Sequence, residues 1–198
     1  MDLVSRAKNI CLSPASEWRV IESESATPGG LLTGYALPLA SIGAIASFIG
    51  MAVLASSFGM LGSARSMPVA LVGAVLGVAV SLATCFVLGL IIDALAPTFG
   101  GQKDPSQALK LAVYSYTPAW LAGILNIIPL FGAFLGLLAG LYAIYLLYIG
   151  IPILMKSPDE KAVPYTLVVF VCAIGVAIVF GLITAAILGA AVLGSAVM

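Results

Sequence analysis

Asp93 is the one acidic residue on a stretch otherwise fit to cross a membrane, and ionisable groups there are costly and usually tied to function. Around it stand a few polar side chains that could build a site: Lys110, Tyr114, Ser115, Asn126, Tyr142 and Tyr145. Two readings are open for Asp93. It could carry a proton or ion through the bilayer, or it could pair with Lys110, the nearest basic residue downstream on an apolar stretch, across a short loop. Tyr142 and Tyr145, three apart, share one face of a helix. Opposite Tyr114, Ser115 and Asn126 they would line a polar cleft, whose bland counterpart is a kinked helix with aromatic residues at the membrane boundary.

Other chemistries are closed. The chain has no histidine, so it holds no Ser–His dyad and no histidine-based metal site. A two-aspartate intramembrane protease needs a second membrane acid. No glycine-rich stretch is followed by the lysine or acidic partner that a nucleotide fold requires. Cys11, Cys85 and Cys172 show no metal or disulfide spacing. The expectation is a protein that is not an enzyme and takes no cofactor.

The elements that position these residues follow from composition. Hydrophobic residues make up 62% of the 198 residues and charged ones 8%, with eight of each sign, leaving no basic field for nucleic acid. Four stretches carry no charge: Ser25–Ala64, Ser66–Ile92, Leu111–Met155 and Ala162–Met198. A bilayer core of about 30 Å takes about 20 helical residues, so the third stretch is long enough for two crossings. Its join is Asn126-Ile127-Ile128-Pro129-Leu130-Phe131-Gly132, a tight helical hairpin. The fold class is therefore all-α: a polytopic membrane bundle with five transmembrane helices, at roughly 28–60, 67–95, 105–128, 131–151 and 163–197. A kink is expected near Gly34–Pro38, because Pro38 removes a backbone hydrogen bond.

Residues 1–27 read as a separate amphipathic segment on the cytoplasmic membrane surface, ahead of a transmembrane domain at 28–198. Leu3, Val4, Ala7, Ile10 and Cys11 form one face, with Arg6, Lys8 and Asn9 opposite. Ser13-Pro14, Thr27-Pro28 and Asp104-Pro105 are cap-then-proline starts. Gly73 and Gly77, and Gly132, Gly136 and Gly140, recur every fourth residue and read as helix-packing faces. Arg6, Lys8, Arg19, Lys103, Lys110, Lys156 and Lys161 fall on one side of such a bundle and Arg65 alone on the other. That bias places the N-terminus in the cytoplasm and the C-terminus outside the inner membrane.

Four motifs in order, Leu12-Ser13-Pro14…Glu17-Trp18…Ile21, Phe99-Gly100-Gly101, Tyr114-Ser115-Tyr116-Thr117-Pro118 and Tyr142 through Pro152, make the chain resemble a bacterial member of the Yip (Ypt-interacting protein) family. The resemblance implies five membrane helices and a cytoplasmic N-terminus. Eukaryotic members are linked to Rab-type GTPases, but the chain lacks their long N-terminal segment, so that link is not carried over. The expected function is a non-enzymatic inner-membrane protein that organises membrane partners or lipids. Its partners would be the bilayer, further copies of itself or other membrane proteins. The alternative is a small transporter or channel using Asp93 and the hairpin.

Overall fold

Prolines and glycines punctuate this apolar chain, and the helices begin and bend where they stand. The computed structural model describes residues 2–57 and 66–197, without the side chains of 51–57, 66–68, 129, 130, 133 and 194–197. Regular structure among the described residues is helical throughout. Two short helices, α1 (Leu3–Leu12) and α2 (Pro14–Ser23), come first. Thr27 then caps α3 (Pro28–Leu31), its hydroxyl accepting from the Gly30 N–H at 3.2 Å. The helix passes through a π-helical turn, Leu32–Ala36, into α4 (Leu37–Ser57). The expected kink is thus a π turn. Pro38 cannot donate to the turn before it, and a wider turn relieves the clash of its ring. Gly59, Gly62 and Arg65, expected in the outer turn, lie outside the described residues.

The second span is α5 (Ser66–Leu95), closed by a 3-10 turn at Ala96–Phe99. Asp104 caps α6 (Pro105–Ser115), accepting from the N–H groups of Ser106 and Gln107 at 3.0 Å each. The single helix expected over 105–128 is not formed. After α6 the chain turns at Tyr116, continues as α7 (Thr117–Ala122) and tightens into a 3-10 helix at Gly123–Ile127. Pro118 cannot extend the α6 ladder, and Gly123 and Asn126 are weak helix formers. The long helix α8 (Pro129–Leu154) runs past Pro152, which was expected to stop it, and α9 is Asp159–Val197.

Among the described residues, four helical stretches are long and apolar enough to cross a membrane: Pro28–Gly50, Val69–Phe99, Phe134–Leu154 and Asp159–Leu193. The broken 105–127 segment is not one of them.

The turn at Asn126–Gly132 forms as expected. Ile128 is extended, and a Cβ on Gly132 would fall 2.8 Å from Asn126 Cα, so only glycine lets α8 start this close to the incoming arm of the hairpin. Helix α4 lies against the same turn: a Cβ on Gly123 would sit 2.9 Å from Gly43 Cα, and one on Gly50 2.7 Å from the Ile127 carbonyl oxygen. Helix α5 packs on α4, α6 and α9, while α8 packs on α2, α6, α7 and α9.

One hydrophobic core joins the N-terminal helices to the rest. Ile10, Trp18 and Ile21 are buried in the same cluster as Tyr35, Ile92, Leu111, Leu146 and Tyr165. The apolar side of residues 1–27 is therefore taken up by the bundle, with Val4, Leu12 and Val20 left exposed.

Candidate functional site

The N-terminal helices are strapped onto the bundle by charge. Arg6, expected on the polar side of α1, is only 3% exposed. Its guanidinium donates to Glu17 at 2.5 Å and to Glu24, and lies 5.6 Å from the centre of the Tyr114 ring. Burial opposes the Arg6 charge, but the hydrogen bond and charge of Glu24, with the charges of Tyr114 and Glu17, hold its pKa above the usual guanidinium value. The Tyr114 ring also meets Tyr35 edge-on at 4.7 Å and Trp18 at 6.4 Å. Tyr35 shares a hydrogen bond of 2.9 Å with the Thr117 hydroxyl.

Lys110 completes the strap. Its ammonium donates to the carbonyl oxygens of Ile21, at 2.9 Å, and Glu24, both at the C-terminal end of α2. A cation there meets the negative end of the helix dipole. Gln107 donates to the Glu22 carbonyl at 2.9 Å, Ser106 to that of Ala26 at 3.2 Å, and Lys156 pairs with the Glu22 carboxylate. Lys110 is thus committed to α2, and among the described residues no ion pair joins it to Asp93. Ser13, expected as a side-chain cap of α2, makes no such bond.

Asp93 lies at the other side of the core. Its Oδ1 is buried without a hydrogen-bond partner among the described residues. The adjacent Ile92 carbonyl accepts from the Tyr165 hydroxyl, and the Tyr165 ring stacks on Phe99 at 4.8 Å. The turn after Phe99 is knitted to the chain between α8 and α9. Gly100 has φ of +73°, in the left-handed region that glycine adopts without strain. A Cβ on Gly101 would stand 2.8 Å from the Met155 carbonyl oxygen, which accepts from the Gln102 N–H at 2.8 Å. Ser157 donates to the Phe99 carbonyl at 3.0 Å.

The residues expected to share one polar cleft are therefore divided among separate places. Lys110 and Tyr114 belong to the strap. Ser115 lines an apolar groove among α5, α6, α8 and α9. Asn126 lines a second opening between α4 and α5, of about 510 Å³, where the Trp120 indole donates to Ser81 at 2.8 Å. Tyr142 donates to the Cys11 carbonyl at 2.8 Å, with Tyr145 beside it at 5.7 Å between ring centres and half exposed.

The glycine stripes are similarly divided. A Cβ on Gly73 would meet Leu188 at 3.8 Å, whereas one on Gly77, Gly136 or Gly140 would meet nothing within 4 Å among the described residues. Of these only Gly132 is tightly pressed, against Asn126, and further close approaches fall at glycines the spacing did not single out. A Cβ on Gly150 would be 2.8 Å from Trp18 Cε2, and one on Gly89 3.1 Å from Leu109 Cα. Sequence reasoning missed the Arg6 cluster too. The one signal for it was a pair of acids, Glu17 and Glu24, within reach of a lone arginine on a short helix.

The family model described as the Yip1 domain matches residues 8–183, from within α1 to within α9. The inner membrane protein YohC of Escherichia coli K12 is 31% identical over 158 residues, covering 77% of this chain and 80% of the relative. The same protein from E. coli O6:H1 strain CFT073 matches to the same extent. No solved structure matches the chain.

Proposed function

The chain belongs to the Yip1 domain family, and from that premise we propose that it is a non-enzymatic, multi-pass protein of the inner membrane that organises membrane partners or lipids through its helical bundle. The observation that carries this reading is α9. It is 39 residues long, and only 11% of its most apolar window is buried within the chain. Val171, Ile178, Leu182 and Leu193 all stand exposed along it. A helix so thinly covered offers its length to lipid or to neighbouring membrane proteins. The E. coli relative carries the name of an inner membrane protein, which supports the location.

In this reading the broken 105–127 segment is a fifth crossing. Its three helical pieces are joined by local backbone bonds, from the Tyr116 N–H to the Ala112 carbonyl and from the Trp120 N–H to that of Tyr116, as irregular backbone in a membrane requires. The excess of Lys and Arg on one side then puts the strap in the cytoplasm and the C-terminus outside.

A photoreactive residue at Leu182 tests the proposal in intact membranes. Discrete crosslinks to particular membrane proteins or lipids are the expected result. A purified sample with hydrolase or transferase turnover, abolished by one substitution in the chain, overturns it. Solute flux in proteoliposomes that is lost in Asp93→Asn replaces it with a conducting role.

A further inference from the structure

The groove among α5, α6, α8 and α9 exists because small residues meet there. Gly136, Gly140 and Ala143 of α8 face Ala173 and Ala177 of α9 across a space of about 390 Å³. That volume lies within the range of small-molecule sites, about 300–1,000 Å³. Its deep wall holds the buried Ile92, Ala112 and Leu147, and its rim the exposed Leu137, Leu141 and Phe170. No charged side chain lines it.

Ser115 also lines this groove. It is 4% exposed, and its Oγ has no hydrogen-bond partner among the described residues. A buried hydroxyl without a partner is unfavourable. Water would satisfy it poorly, since an ordered water needs two to four polar partners, and the lining here is otherwise apolar apart from Tyr116. A helix of another chain is about 10–12 Å across and would rest on the rim without reaching Ser115. A flexible hydrocarbon chain bearing an acceptor oxygen can fill the apolar length and reach the hydroxyl together.

We propose that this groove binds one acyl chain of a membrane phospholipid, with the Ser115 hydroxyl donating to the ester carbonyl at the head of that chain. The proposal deepens the lipid side of the reading above and rests on the bundle standing in a bilayer. Because three of its walls belong to membrane-crossing helices, the ligand enters sideways from the lipid and needs no aqueous opening.

The test uses the full chain in phosphatidylethanolamine–phosphatidylglycerol vesicles containing a phosphatidylethanolamine with a diazirine on its acyl chain. After irradiation, the labelled peptides are mapped by mass spectrometry. Adducts should concentrate on residues 136–147 and 169–177 and saturate as the probe fraction rises. Gly140→Leu fills the groove and should lower this labelling about tenfold, with Ala143→Leu as a second filling variant should the first unfold. Ser115→Ala should lower it about threefold and Ser115→Thr should restore it. Labelling at Ile178 and Leu182, on the outer surface of α9, should remain unchanged in every variant, which reports that the bundle is still inserted. Label spread evenly over α8 and α9, or groove label indifferent to these substitutions, would each overturn the proposal. Loss of the outer α9 label in the unmodified chain would instead count against the membrane reading itself.

Discussion

The Lys110 ammonium lies 2.9 Å from the Ile21 carbonyl oxygen, so a residue at the start of the broken span closes the end of a helix at the start of the chain. The last carbonyls of a helix have no partner within it, and a buried cation supplies one. This bond also explains why Lys110 is absent from Asp93, to which charge and loop length alone would assign it.

Lys110→Ala should therefore destabilise the protein in detergent by about 1–3 kcal/mol, since it takes the cation from the Glu24 carbonyl oxygen and leaves that of Ile21 with only the Glu24 N–H at 3.4 Å. In a double-mutant cycle with Asp93→Ala, the two losses should add to within about 0.5 kcal/mol. A coupling well above that, measured by denaturant unfolding, would show that the two side chains meet after all.

Arg6→Ala should cost more, about 3–5 kcal/mol, because it leaves the buried Glu17 carboxylate facing no cation. Glu24→Gln should cost under about 1 kcal/mol, since that side chain is 41% exposed and its pairing is screened by solvent. Equal losses in the two variants would show that the Glu24 pair, and not the buried Glu17 pair, carries the Arg6 contribution.

Four of the five expected spans were legible in the sequence because a lipid core excludes charge, and charge-free runs can be read without knowing any contact. Thr27 and Asp104 could be placed at helix starts for a similar reason, as capping is a local exchange of hydrogen bonds. The site was much less legible. Arg6 stands beside Ala7 on a short helix, and nothing local says that Glu17 and Glu24 will fold back over it. The glycine periods of α8 are real, but period reports only which residues share a face. Whether a neighbour fills that face depends on how α9 leans, and at Gly136 and Gly140 none does. The break at 116–127 arises from Pro118, Gly123 and Asn126 acting together, each of which a membrane helix tolerates singly.

Gly150 is the seat of Trp18, and the fit leaves no room for a side chain. Gly150→Val should displace the indole, seen as a red shift of its fluorescence against a Trp120→Phe background. Trp18→Ala should cost about 3–5 kcal/mol as a large buried ring is lost. Unchanged emission in Gly150→Val would mean that the notch can widen to take both.

Reporter fusions check the proposed orientation. A reporter after Gln102 or Ser157 should be active in the cytoplasm, and one after Met198 outside it. Cytoplasmic activity after Met198 would show that the 105–127 segment dips into the membrane without crossing.

The strap also sets a timetable for biogenesis. Trp18 leaves the ribosome among the earliest residues, but its seat at Gly150 and the Glu22 partner Lys156 emerge only after most of the chain has been made. Until then the nascent N-terminus has an unburied indole and an unfinished charge cluster, the sort of exposed surface that chaperones and proteases survey. Emergence of the α8 end lets the first residues lock, so docking of the N-terminus reports that the third of the long apolar stretches is already in place.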